Sequence, residues 1–487
     1  MQASGDSVPG VVVAGLRGGS GKTIVSLGIA AAWKRKNIVI SPFKKGPDYI
    51  DAGWLSLAAG RPCYNLDTFL CDPEVVKESF AFHSQNCDIA LVEGNRGLYD
   101  GIDTDGTTST AELARLLNLP VVLVLDCTKS TRTMAALVLG CQNFDPRIRI
   151  IGVILNQVAG KRHKEKVAAN IEQFCHLPVF GAIPKLSSQD FPERHMGLLT
   201  SAEHQFSSKA LASVKEMAQQ HIDLTALYQA VIQDCKSVET KNRALQSKSG
   251  IVSGGPAHVF SQAVSAHNEG PEAVIGVIRD SAFQFYYPDN LEALKNLGAK
   301  IVFISPLSQD RLPEVDAVYM GGGFPETHAP QLAENNGFRD HLKALSLNGL
   351  PIYAECGGLI FLGKSIRLDG REYPMSGILP VWFGLSIKPQ GHGYTRVKVV
   401  NQNPFYRIGE TLKGHEFRYS KILKIEFQDH EMAFSMERGK GVVDKKDGFF
   451  KNNTFGTYTH IHALGSVSWA PSLLDKARAY KARREIS

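Results

Sequence analysis

"VVVAGLRGGSGKT", Val11 to Thr23, is an apolar run that breaks into glycines and ends in Gly-Lys-Thr. A strand that ends this way and opens a helix aims several backbone N–H groups and the positive helix end at one point, which suits a polyphosphate. Gly18, Gly19 and Gly21 would supply backbone donors to ATP, Lys22 would reach its β- and γ-phosphates, and the Thr23 hydroxyl would hold Mg2+. The spacing departs from the common G-x-x-x-x-G-K-[ST] pattern, because position 16 is Leu16 and the glycine stands one residue earlier, at Gly15.

With its glycine displaced, the loop resembles those of dethiobiotin synthetase and of the KGGxGK[ST] ATPases. In the latter a lysine stands where this chain has Arg17; by that likeness Arg17 touches phosphate across a homodimer, the alternative being an exposed arginine with no such role. Outward from the loop, "GVVVAGL", "NIVISPF", "CDIALVEG", "PVVLVLD" and "IRIIGVILN" alternate with helical patterns as far as about Gly181. Near-continuous apolar strands of this kind predict a parallel sheet covered on both faces. Magnesium needs further hard oxygen ligands, and strand ends beside such a loop provide them. "KKGPDYID" offers Asp48 and Asp51, and "LVEGNRGLYDG" offers Glu93 and Asp100. Each is read as a metal or substrate ligand, with a helix-capping carboxylate as the plain alternative. Asn156, ending its strand, takes the place where related loop proteins contact adenine, or else simply turns the chain.

A second site is written in "PIYAECGGLIFLG", an apolar strand, a cysteine, two glycines and an apolar helix start. This is the pattern of a nucleophile elbow, in which the reactive side chain stands on a tight turn and the helix start supplies oxyanion donors. Cys356 is therefore the candidate nucleophile. The other cysteines, Cys63, Cys71, Cys87, Cys127, Cys141, Cys175 and Cys235, form no C-x-x-C pair and no zinc spacing and are assigned structural roles. "THIH" offers His460 and His462 on alternate positions of a strand; "GHEFRYS" adds His415. The glycines of "VYMGGGFPE", with Gly322 and Gly323 joined by Gly357 of the elbow, would complete an oxyanion hole.

The remaining features bound the class. At 487 residues and 43% hydrophobic, the chain has material for more than one core. Its net charge of +6 comes from 54 basic and 48 acidic residues with no long one-sign block except "KARAYKARREIS", so nucleic acid is not an expected partner. No run of eighteen apolar residues appears and "MQASGDSVPG" lacks signal-peptide character, which predicts a cytoplasmic protein without membrane association. The rhythm of strand and helix collapses in a Ser-, Gly- and Lys-rich stretch and then restarts. The expected plan is two tandem α/β domains, residues 1–235 and 271–475, a linker at 236–270 and a basic C-terminal tail at 476–487.

Taken in order, "GSGKT", "FKKGPDYID", "GRPCYNLD", "VEG" with "GLYDG", "GVILN", "RDSAFQFYYPDNLEAL", "GGGFPE", "AECGGL", "GHEFRYS" and "THIH" resemble the cobyrinate a,c-diamide synthase family over nearly the whole chain. The resemblance implies an N-terminal P-loop NTPase-type, dethiobiotin synthetase-like amidoligase sheet and a C-terminal class I glutamine amidotransferase-like domain. It implies ATP and Mg2+, L-glutamine as nitrogen donor and a carboxylated corrinoid or tetrapyrrole as acceptor. Residue by residue, it makes Cys356 the nucleophile, His460 its activator, Glu93 a metal ligand, and Asp48, Tyr49, Asp51 and Asp100 the substrate region. Asn95 and Arg96 depart from the small or apolar pair that many relatives carry after "VEG". That leaves the macrocycle open among cobyrinate, hydrogenobyrinate and Ni-sirohydrochlorin, beside a cobyric acid synthase-like amidation. A non-enzymatic alternative is a partitioning or regulatory ATPase with a degenerate partner domain, which an intact Cys356 elbow opposes.

Overall fold

The computed structural model describes residues 8–185, 204–249 and 272–486. They form two compact units, Met1–Thr68 with Pro73–Ala257, and Phe69–Asp72 with His258–Ser487. No helix among the described residues is long and apolar enough to cross a membrane.

The first unit is built on seven strands: β1 (Gly10–Gly15), β2 (Ile40–Lys45), β3 (Tyr64–Leu66), β4 (Ile89–Glu93), β5 (Val121–Asp126), β6 (Ile150–Val158) and β7 (Val179–Pro184). They pair in the order β3-β2-β4-β1-β5-β6-β7, every pair parallel. Val11, Val12 and Val13 of central β1 are essentially inaccessible to solvent, as an unbroken apolar run demands when both faces are covered. Five strands match the apolar runs of the sequence, whereas the edge strands β3 and β7 were not anticipated. Helix α1 (Lys22–Arg35) follows β1 and helix α2 (Tyr49–Ala59) follows β2. Because the strands are parallel, the loops leaving β1, β2 and β4 open on the same, carboxyl edge of the sheet, where α/β proteins place their ligands.

The second unit carries a ten-stranded sheet. One half is parallel, in the order Ala299–Ile304, Ala273–Ile278, Ala317–Met320, Ile352–Glu355 and Thr454–Thr457. It continues antiparallel through Lys446–Lys451, Met432–Arg438, Gly391–Val399, Thr411–Arg418 and His460–Ile461. Strand Thr454–Thr457 lies directly beside Ile352–Glu355, which brings the chain leading to His460 alongside the one leading to Cys356.

Two boundaries read from composition change. Residues 236–249 are not an irregular linker but the end of a helix, Leu224–Ser249, while 250–270 lie outside the described residues. Likewise 476–487 is no separate tail: helix Trp469–Ile486 buries Trp469, Leu473, Leu474, Ala477 and Tyr480. An apolar stripe at helical spacing anchors it, and the basic residues occupy its other faces.

Candidate functional site

The glycines of the first loop earn their places sterically. Gly21 has φ +90°, and a Cβ there would stand 2.1 Å from Asn156 Nδ2. Asn156 in turn donates to the Ser20 carbonyl at 3.0 Å and accepts from the Gln157 N–H at 2.9 Å, so its amide braces the underside of the loop. Gly18 and Gly19 are exposed, with open space where a side chain would go. Lys22 is nearly buried and folds back over the loop, donating to the carbonyls of Arg17 (3.2 Å) and Arg96 (2.7 Å). Burial, and then the neighbouring Lys44 charge, hold its ammonium below the usual lysine range. Arg96 adopts a left-handed φ of +51° to present that carbonyl. Arg17 pairs with Asp126 of its own chain at 2.8 Å while remaining 72% exposed.

Behind the loop lies a charge cluster whose centre sequence reading missed. Strands β2 and β4 pair with Lys44 directly opposite Glu93. Lys44 Nζ donates to Glu93 Oε1 at 2.8 Å and to Asp51 Oδ2 at 2.6 Å, and the Thr23 hydroxyl donates to Glu93 Oε1 at 2.7 Å. Desolvation would lower the Lys44 ammonium, but Asp51 and Glu93 overcome it and hold it well above the ordinary value. Burial pushes Glu93 up to about 7 against the pull of Lys44. Asp48 caps α2 by accepting the Asp51 N–H at 2.9 Å, and burial together with Asp51 pushes it up to about 6. Asp100 accepts the Gly97 N–H at 2.8 Å and so fixes its own turn, and Tyr49 opens α2.

Removing one partner of such a buried cluster leaves a carboxylate uncompensated. Lys44→Met is therefore expected to destabilise the first unit by about 3–5 kcal/mol, read as a lowered denaturation midpoint; an unchanged midpoint would show that the cluster is not a buried ion pair.

Among the described residues no group of three or more His, Cys, Asp or Glu is arranged to hold a metal by itself. The Thr23–Glu93 pair nevertheless fits a phosphate-bound cation. Glu93 Oε2 is buried without a hydrogen-bond partner among the described residues, a second hard oxygen beside the Thr23 hydroxyl.

In the second unit Cys356 stands between strand Ile352–Glu355 and helix Gly357–Leu362 with φ +46° and ψ −95°, a conformation that costs a residue bearing Cβ and marks the elbow. Its N–H donates to the Thr457 carbonyl at 2.8 Å. The His460 ring, nearly buried, hydrogen-bonds to the Cys356 side chain, and its Nδ1 lies 3.2 Å from Glu355 Oε2. Cysteine, histidine and glutamate thus form a triad whose third member sits just before the nucleophile. A Cβ on Gly322 would lie 2.6 Å from His460 Cε1, and one on Gly357 would lie 2.9 Å from the Gly323 nitrogen. A side chain at Gly322 would therefore run into the His460 ring, and one at Gly357 into the backbone of the Gly322–Gly323 turn.

These two sites are matched along their length by known proteins. Residues 11–199 match the CobQ/CobB/MinD/ParA nucleotide binding domain, and residues 274–467 the CobB/CobQ-like glutamine amidotransferase domain. The chain is 39% identical over 481 residues to the cobyrinate a,c-diamide synthase of Magnetococcus marinus, covering 99% of both chains. It is 36% identical over 475 residues to that of Archaeoglobus fulgidus, covering 97% of this chain and 98% of the relative. The chain belongs to the cobyrinate a,c-diamide synthase family. It is an ATP-dependent carbon–nitrogen ligase that takes its amido nitrogen from glutamine, with a nucleotide-binding first unit and a glutamine amidotransferase-type second unit.

Within this family member the three candidate histidines separate cleanly. His460 faces Cys356. His462, two residues on, places Nε2 3.4 Å from Asp289 Oδ2, and Nδ1 3.6 Å from the sulfur of Cys71, which belongs to the same unit. His415 stacks on the His460 ring at 4.9 Å, with the Tyr287 hydroxyl 3.3 Å from its Nδ1. Burial first, and then the neighbouring charged histidines, hold His415 well below the usual value, so it is a neutral wall.

His460 behaves oppositely. Burial would lower it, yet Cys356 and Glu355 raise it to about 10. A histidine raised on folding contributes stability that is complete below its unfolded value of about 6.5 and is lost as pH climbs through the folded one. The melting-temperature gap between the wild type and His460→Asn is thus expected to be widest near about pH 6 and to narrow toward about pH 10. A gap that widens with pH would contradict the triad's charge pattern.

Proposed function

We propose that the chain amidates the a and c acetate carboxylates of cobyrinate, with glutamine as nitrogen source, through acyl phosphates made from ATP. The observation that supports this most is that similarity to cobyrinate a,c-diamide synthases runs through both units without a break.

A carboxylate does not exchange hydroxide for ammonia at a useful rate, so the acid must first be activated. Transfer of the ATP γ-phosphoryl group to the carboxylate turns a poor leaving group into phosphate. The loop amides and Lys22 hold the phosphates in line, and Asp48, Tyr49, Asp51 and Asp100 position the acid. Thr23 and Glu93 are the residues that would hold Mg2+, which when bound neutralises charge on the transferring group. Lys44 keeps Asp51 and Glu93 apart in charge, fixing both at the mouth of the loop.

Ammonia comes from the glutaminase half. The Cys356 sulfur attacks the side-chain amide carbon of glutamine, and the oxyanion is received by N–H groups around Gly322, Gly323 and Gly357. His460, oriented by Glu355, takes the thiol proton and delivers it to the departing ammonia, and water then clears the glutamyl thioester with His460 as base, freeing glutamate and the thiol.

Incubating the protein with ATP, glutamine and, separately, cobyrinate, hydrogenobyrinate or Ni-sirohydrochlorin, and counting amidations by mass, tests the acceptor. Two amidations of cobyrinate in preference to the other macrocycles are expected; preference for either of the others would reassign the substrate and leave the chemistry intact.

A further inference from the structure

Five hydrogen bonds of the second unit converge on one side chain that the chemistry above does not use. Asp447 stands in strand Lys446–Lys451, fully shielded from solvent. Its Oδ1 accepts the N–H groups of Gly448 at 2.9 Å and Tyr458 at 3.0 Å. Its Oδ2 accepts the Thr459 N–H at 3.0 Å and the hydroxyls of Thr457 and Thr459, both at 2.8 Å. Four of the five donors thus come from residues 457–459, which carry the chain from strand Thr454–Thr457 to His460. Cys356 and His460 both depend on that stretch. The Thr457 carbonyl holds the Cys356 N–H at 2.8 Å, and His460 follows Thr459 directly. Tyr458, between them, is anchored separately, by its hydroxyl 2.9 Å from Ser420 Oγ and by the Arg418 guanidinium 4.0 Å over its ring.

Buried backbone N–H groups that leave regular strand pairing must find acceptors elsewhere. Asp447 supplies them for Tyr458 and Thr459 together, in the segment whose placement sets the distance between sulfur and imidazole. We infer that Asp447 is a positioning residue of the glutaminase, holding His460 against Cys356 by fixing residues 457–459. This rests on the glutaminase reading of Cys356 and deepens it. None of its five hydrogen bonds goes to Cys356 or His460; it acts through Thr457 and Thr459, and proton transfer at His460 is left as it stands.

The test compares the wild type with Asp447→Asn, Thr459→Val and Thr459→Ser. An amide has one accepting oxygen, so whichever way the new side chain turns, its NH2 group meets a backbone N–H, that of Tyr458 or that of Thr459. Asp447→Asn is expected to lower kcat for ammonia release from glutamine by about 100-fold, the cost of roughly an ångström of misplacement, with little change in KM. Thr459→Val removes one donor and keeps the shape, and should cost about 10-fold; Thr459→Ser, which restores the hydroxyl, should recover most of that. The second readout is alkylation of Cys356 by iodoacetamide near neutral pH, followed by mass on its own peptide. A thiol reacts through its thiolate, which a neighbouring imidazolium favours. A displaced His460 therefore slows labelling, whereas a merely loosened fold exposes the buried thiol and speeds it. Slower labelling with a lower kcat in Thr459→Val supports the assignment even if Asp447→Asn does not fold. Unchanged or faster labelling, or a loss confined to KM, overturns it. If the wild type releases no ammonia from glutamine, the glutaminase reading beneath falls, while the labelling rates still decide whether Asp447 holds His460 to Cys356.

Discussion

Cys356→Ala is expected to lose glutamine-dependent amidation by about 10⁴-fold or more, the scale on which a covalent nucleophile is missed, while amidation driven by added ammonium salts continues near the wild-type rate. The division follows from where Cys356 stands. Cys356 partners His460 in the second unit, whereas the phosphate loop, Thr23, Lys44 and Glu93 all belong to the first. Replacing the sulfur with hydrogen removes a single side-chain atom and leaves His460 paired with Glu355, so the substitution is not expected to prevent folding. The measurement is product formation at saturating ATP with either nitrogen source. Loss of both activities would show that the two halves do not act as separate chemical stations.

Glu93→Gln is expected to do the reverse. The change keeps the shape of the side chain but removes the charge that accepts from Thr23 and Lys44, and with it the hard oxygen left for a phosphate-bound cation. Amidation should fall by about 10³-fold with either glutamine or ammonia, an effect of the size seen when one preorganised electrostatic contact to a transferring group is removed. Hydrolysis of glutamine alone should persist, because Cys356 and His460 belong to the other unit. If the variant amidates normally with ammonia, the acid cluster is structural and the activation step lies elsewhere.

The parts of both sites that sequence reading reached are those written in backbone geometry. A loop of glycines between an apolar strand and Gly-Lys-Thr, and a cysteine followed by two glycines, specify local conformations, and Gly21, Gly322 and Cys356 hold the conformations and contacts those patterns require. What escaped depends on which chain segments become neighbours. Lys44 and Lys45 are adjacent and both buried, and only the register that sets Lys44 opposite Glu93 decides which one enters the cluster. Glu355 was overlooked for a similar reason: it closes the strand before Cys356, and it becomes the partner of His460 only because His460–Ile461 returns to meet it. The resemblance singled out His460, and the structure gives each histidine its own carboxylate, Glu355 for His460 and Asp289 for His462. The closing helix was misjudged because charge was weighed before periodicity; Trp469, Leu473, Ala477 and Tyr480 recur at intervals of three and four and mark a packed face.

The central claim is that nitrogen released at Cys356 ends in an amide whose acid was activated by ATP at the phosphate loop. Supplying glutamine labelled with heavy nitrogen at its side-chain amide, together with unlabelled ammonium, ATP and cobyrinate, tests it directly. Preferential incorporation of the label, with one ADP and one phosphate formed for each amide, is the predicted result; unlabelled product, or AMP in place of ADP, would contradict it.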